Sequence, residues 1–183
     1  ESFNWKDISH VIFGSLMEET LSHDQRRAGG MNYTTVENIH RVIDPLFLDD
    51  LKTQLDTIEN TSMGERAREN RLREFQTRIA GLQFLDPACG SGNFLTETFL
   101  ELRRLENRVL EHLLHHQGVI AFGANTDAGS LVKVSISQMH GIEINDFAVS
   151  VAKTDLWIAQ QTALDDTANI PRQPPDTPPM TAQ

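Results

Sequence analysis

Phe84 to Leu95 reads FLDPACGSGNFL, and the way this stretch is read decides the fold. Leu82 to Leu85 (LQFL) is a short apolar run that ends on Asp86 and a Gly-rich turn, which predicts a buried parallel strand. Asn93 suits a helix cap, and Leu95, Phe99, Leu102, Val109 and Leu113 follow at helical spacing. Met139 to Ile144 (MHGIEI) predicts a second buried strand, and Asp146 the cap of a helix reaching about residue 164. Residues 117–137 mix Gly with β-branched residues and predict a loop with one hairpin. Strand, helix, strand, helix is the βαβ pattern of an α/β fold.

Working outward, the first eighty residues read as mostly helical. Trp5, Ile8, Ile12 and Leu16 place an amphipathic helix over 5–22, and His23 to Asn32 is a polar loop. Thr34 with Glu37 predicts a capping box for a helix that stops before Pro45. Asp44 and Pro45 then suit the cap and first position of a second helix, with Leu48, Leu51, Leu55 and Ile58 on one face. Ser62 and Glu65 repeat the capping box ahead of Leu72, Phe75 and Ile79. The tail from residue 170 carries Pro171, Pro174, Pro175, Pro178 and Pro179 and reads as an extended linker. The expected organisation is a helical segment over 1–80, a partial Rossmann-like parallel-sheet domain over 81–169 and a Pro-rich linker over 170–183.

Composition narrows the function classes. The 183 residues hold 16 Lys plus Arg against 26 Asp plus Glu, a formal charge of −10, which argues against this chain gripping a phosphate backbone by itself. An apolar content of 39% with 23% charged residues is that of a globular protein rather than a disordered one. No apolar run is long enough for a membrane span and no secretory leader opens the chain, so no membrane partner is expected. The single cysteine, Cys89, excludes an internal disulfide and a multi-cysteine zinc site, which fits a cytoplasmic location.

The chemistry sits at the strand ends. Gly90 and Gly92 would let backbone approach a ligand that a Cβ would hold off. The following helix offers free N–H groups and a positive dipole end to a carboxylate or phosphate. Asp86 would accept from a ligand amine, and Glu143 at the end of the second strand stands where an acidic group commonly takes ribose hydroxyls. Amine, carboxylate and ribose together describe the handles of S-adenosylmethionine. A dinucleotide fingerprint fits less well, because its third glycine would fall on Leu95 and Glu143 lies far beyond the ~20-residue spacing of that motif. A P-loop lacks its Gly-Lys-Ser/Thr. A purely structural glycine turn stays open on spacing alone.

Asp86-Pro87-Ala88-Cys89-Gly90-Ser91-Gly92-Asn93-Phe94 closely resembles the cofactor motif of adenine-specific (amino) DNA methyltransferases. Gly141 to Ala152 (GIEINDFAVSVA) resembles their second cofactor motif, and Gly30-Met31-Asn32-Tyr33-Thr34-Thr35 their Gly-x-x-Tyr-Thr element. Phe13 to Glu18 (FGSLME) resembles the helix before that element, and the wording is nearest to large single-chain restriction–modification methylases. The resemblance implies an S-adenosylmethionine cofactor. Asp86, Ala88, Gly90 and Gly92 would line its methionine moiety, with Cys89 and Phe94 in the same motif. Glu143 would take the ribose, Ile144 would lie against adenine, and Tyr33 and Thr34 would cap the pocket.

Each residue also has a plainer reading. Thr34 is explained as a helix cap. Cys89 suits a small buried filler, and this chemistry needs no thiol. His140 suits a satisfied surface, the pair His115-His116 a helix-end dipole, and the arginines between Arg66 and Arg78 a solvated face interleaved with Glu65, Glu69 and Glu74. The family's Asn/Asp-Pro-Pro-aromatic loop, which holds the flipped base, has no counterpart in Gln173-Pro174-Pro175-Asp176 or Thr177-Pro178-Pro179-Met180. With Glu1 rather than Met in front, the chain reads as the cofactor-binding front portion of an adenine-N6 DNA methyltransferase. DNA would then be reached through parts beyond this chain, with restriction or specificity subunits or a fused nuclease as further partners. The alternatives are a non-catalytic cofactor-sensing or assembly module, and a methyltransferase with a non-DNA acceptor.

Overall fold

The computed structural model describes residues 34–116 and 131–170. The expected helix over 5–22, the loop after it, Tyr33, most of the 117–137 loop and the Pro-rich tail lie outside the described residues. Helix α1 (Val36–Ile43) presents Ile39 and Ile43 to the core. Its N-cap is Thr35, one residue after the predicted Thr34, because Thr35 has the extended backbone of a cap and its hydroxyl accepts the Asn38 N–H at 3.4 Å. The helix does not break at Pro45. Residues Asp44–Leu48 form one π turn, closed by the Asp49 N–H bonding to the Asp44 carbonyl, and helix α2 (Asp49–Asn60) continues directly. Pro45 cannot donate to the preceding turn, and widening that turn keeps the chain helical around the missing bond. Asp44 is therefore helical rather than a cap.

Leu48, Leu51 and Leu55 are buried along this run, with Ile58 half-buried. Helix α3 (Glu65–Ala80) buries Leu72, Phe75 and Ile79 as predicted, but its N-cap is Gly64 and Ser62 makes no capping bond. The chain then enters β1 (Phe84–Asp86), crosses through the 24-residue α4 (Asn93–His116), and returns in β2 (Met139–Gly141). The strands pair in parallel, Phe84 with Met139, Leu85 with His140 and Asp86 with Gly141. Parallel neighbours need such a crossover, which is why the glycine turn and the acidic turn emerge side by side at one sheet end. Helix α5 (Asp146–Ala168) follows, capped by Asn145, whose side chain accepts the Phe147 and Ala148 N–H groups. The predicted cap, Asp146, is the first helical residue instead, and the helix runs past the expected end.

The strands are shorter and more open than predicted. β2 stops at Gly141, and Leu85 is 63% exposed because α4 packs on the two-stranded sheet and no described element covers Leu85. One apolar core nevertheless runs from Ile39 in α1 through Leu72 and Phe99 to Ala159 in α5. The architecture is α/β, mostly helical around a small parallel sheet, and no described helix is long and apolar enough to cross a membrane.

Candidate cofactor-binding site

The turn after β1 is held by backbone bonds and by two carboxylates, Asp86 and Glu143. The Ile142 N–H donates to the Asp86 carbonyl at 2.9 Å and the Cys89 N–H to the Ile142 carbonyl at 3.1 Å, so the ladder continues past the strand ends. One carboxylate oxygen of Asp86 accepts the Ala88 N–H at 3.1 Å, folding the turn on itself. The Gly92 N–H donates to the Cys89 carbonyl at 2.8 Å and hands the chain to α4.

Two glycines take positive φ for different reasons. Gly90 sits at φ 53°, and a Cβ there would meet nothing within 4 Å, so its face is open. Gly92 sits at φ 84°, and a Cβ would lie 2.9 Å from the Cβ of Ala152. Gly92 thus admits helix α5 rather than facing the opening. Cys89 fills the space above Gly141, where a Cβ would fall 2.6 Å from its sulfur. Burial, then the charges of Asp86 and Glu143, push its thiol up from the ordinary value, so it is a poor nucleophile.

A cavity of about 380 Å³ opens beside this turn. Asp86, Ala88, Cys89, Gly90 and Phe94 line it, and so does Thr34, which is freed by Thr35 acting as the cap. The structure therefore gathers six of the residues singled out from sequence. Glu143 stands behind the turn rather than in the cavity wall. It accepts the Gly90 N–H at 3.0 Å on one oxygen and the Ile144 and Asn145 N–H groups at 2.8 Å each on the other. Ile144 is 97% exposed and outside the cavity wall. His140 is satisfied at the surface, 2.7 Å from the Gln83 side-chain oxygen.

The opposite wall was not foreseen. Val42 and Ile43 of α1 and Leu46 and Phe47 of the π turn face the cavity, and the Phe47 ring meets Phe84 at 4.9 Å between centroids. Their sequence signal, apolar residues beside Asp44-Pro45, is that of an ordinary amphipathic helix. The continuous run through the π turn sets Leu46 and Phe47 on the same wall as Val42 and Ile43.

Residues 61–183 match the family described as MmeI, DNA-methyltransferase domain. The chain belongs to that family. Among its relatives, DNA methyltransferase A of Bacillus subtilis (strain 168) is 40% identical over 170 residues, which is 92% of this chain and 18% of that protein. A putative type II restriction enzyme and methyltransferase of Methanocaldococcus jannaschii is 28% identical over 131 residues, 71% of this chain and 10% of its own length. A solved structure of the type IIL restriction–modification enzyme MmeI in complex with DNA superposes with a TM-score of 0.77 at 34% identity, covering 99% of this chain and 23% of that one. The MmeI-family chain thus spans less than a quarter of the length of these relatives. The resemblance to restriction–modification methyltransferases drawn from the Asp-Pro-Ala-Cys-Gly-Ser-Gly wording holds at the level of the family.

Proposed function

We propose that this MmeI-family chain is the S-adenosylmethionine-binding portion of a site-specific DNA methyltransferase acting on adenine N6 in a restriction–modification system. The observation that carries this reading is the Gly90 turn. Its face is open to a ligand, it borders a cavity of about 380 Å³, and Glu143 braces it from behind. One relative, of Streptomyces coelicolor, is named an adenine-specific methyltransferase and is 32% identical over 84 residues, which supports the choice of base.

The donor set fits the cofactor's two ends. Asp86 accepts one N–H and a carboxylate has about four acceptor positions, so it can also take an ammonium. The first N–H groups of α4 and its positive dipole end suit a carboxylate. Thr34 and Phe94 stand in the same wall, polar and apolar. Glu143 already accepts three N–H bonds, so it can take one ribose hydroxyl as it stands; taking both requires Gly90 to release its bond. When bound, the cofactor supplies an electrophilic sulfonium methyl. What the chain contributes is orientation of that group and exclusion of water on the apolar side, through Val42, Leu46, Phe47 and Phe84. Holding the extruded base is the task of parts beyond this chain, since neither Pro-Pro pair is preceded by the Asn or Asp, or followed by the aromatic, of such a loop.

Calorimetric titration with S-adenosylhomocysteine tests the reading. Micromolar or weaker binding is expected, lost in Asp86→Ala and Glu143→Ala. Unchanged binding in both variants would overturn the site, and tight binding of NAD would replace it with a dinucleotide site.

A further inference from the structure

His40 lies on α1 one turn from the cavity wall and faces α4, and both helices line that cavity. Its helix, α1, contributes Val42 and Ile43 to the cavity, and the π turn contributes Leu46 and Phe47. Across from it, α4 contributes Phe94, Leu95 and Thr98. His40 Nδ1 is 2.7 Å from Asp44 Oδ1 in the π turn, and its Nε2 is 3.4 Å from Glu97 Oε1 in α4. Both ring nitrogens therefore face carboxylate oxygens. Only the imidazolium donates from both nitrogens; a neutral ring would aim one lone pair at a carboxylate.

We infer that His40 is a positioning residue for the cofactor pocket: as an imidazolium it ties the α1–π-turn wall to the α4 wall, and cofactor affinity falls when that proton is lost. This rests on the cofactor reading of the cavity given above. Among the described residues, the remaining charges around the ring are Glu101 and Arg104 on α4 and Lys52 on α2. Arg104 pairs with Glu97 at 3.2 Å and also with Glu101, and Lys52 reaches Glu101 at 3.2 Å. Histidine, here His40, is the side-chain type in this cluster whose ordinary charge change falls near neutral pH. Burial lowers its proton affinity, but the hydrogen bond and charge of Asp44, with Glu97 and Glu101 behind it, outweigh burial and raise it above the ordinary histidine value. The link is therefore complete below the ordinary value and is lost as pH rises through the raised one.

The experiment is a titration with S-adenosylhomocysteine from roughly pH 5.5 to 8.5, the range over which histidine titrates, on the wild-type chain, His40→Gln and Glu97→Gln. Wild-type affinity is expected to fall about two- to fivefold with rising pH, as befits a partly exposed ion pair. His40→Gln should be flat at the high-pH wild-type level, and Glu97→Gln should flatten the profile as well. A His40→Gln profile that follows the wild type overturns the inference. Asp86→Ala at the lowest pH separates the two claims, since unchanged binding there overturns the site and not the tie. Amide hydrogen exchange of Val36–Ile43, corrected for intrinsic rates, reads the tie without any ligand. Protection should be greater at low pH in the wild type and pH-independent in His40→Gln; identical exchange profiles also overturn it.

Discussion

Two of the places where helix α4 carries polar chemistry are built in opposite ways. Its N-terminal end meets the glycine turn, where backbone bonds and the carboxylates of Asp86 and Glu143 hold the chain and one side lies open beside a cavity. Three turns farther along, Arg103 and Glu106 are fully buried against each other. Glu106 accepts the Gln76 side-chain amide at 2.8 Å and the Lys133 N–H at 2.7 Å, and it holds the Val134 N–H as well. Arg103 donates to the Ala163 carbonyl at 3.2 Å and the Thr167 hydroxyl at 2.5 Å. One pair thereby joins α3, α4, α5 and the segment leading into β2. Burial pushes the Arg103 guanidinium down from its usual range while Glu106 opposes the shift. The open end can exchange its partners for a ligand's. The closed one has committed them, and it sets where β2, and so Glu143, comes to rest.

That contrast predicts which changes damage the fold and which damage only the site. Glu106→Ala should be the most damaging, losing about 3–5 kcal/mol in urea denaturation because it strands a buried guanidinium. Combining Glu106→Leu with Arg103→Met should recover only part of that, since the Lys133 and Val134 N–H groups still lack their acceptor. A cost below about 1 kcal/mol for the single variant would show that the hub does not hold the segment.

The two glycines should split next. Gly92→Ala meets both left-handed strain and Ala152, and should cost roughly 2–4 kcal/mol. Gly90→Ala meets only the strain, about 1–2 kcal/mol, yet its new methyl stands on the open face. S-adenosylhomocysteine affinity should therefore fall more in Gly90→Ala than its stability loss explains. Equal thermal shifts in the two variants would erase the distinction between packing glycine and site glycine.

The smallest difference is between adjacent threonines. Thr35→Ala should lower stability by about 1 kcal/mol as a lost cap, with little direct effect on ligand. Thr34→Ala should leave the melting temperature alone and weaken S-adenosylhomocysteine. The reverse pattern would return the cap to Thr34 and remove it from the cavity wall.

Much of this was legible in the residues. The apolar spacing of Leu72, Phe75 and Ile79 in α3 and of Leu95 to Leu113 in α4 placed the helices correctly. The Asp-Pro-Ala-Cys-Gly-Ser-Gly wording located the strand end and the turn. Caps were displaced by a residue or two at Thr35, Gly64 and Asn145, because the cap falls where the backbone is extended, as it is at all three. The π turn at Pro45 was invisible, since a regular helix break satisfies the same residues.

The lasting division is between near and far in the chain. Periodicity and glycine chemistry act over a few residues, so the helices, the parallel crossover and the open turn at Gly90 could be read directly. The Glu143 brace on Gly90, the Phe47–Phe84 wall, the His40–Glu97 tie and the Arg103–Glu106 hub each join positions far apart in sequence. No local pattern marks them, because a Glu or Arg on a helix is as well satisfied by water as by a partner. Only packing α3, α4 and α5 around one core removes the water and makes those pairings necessary.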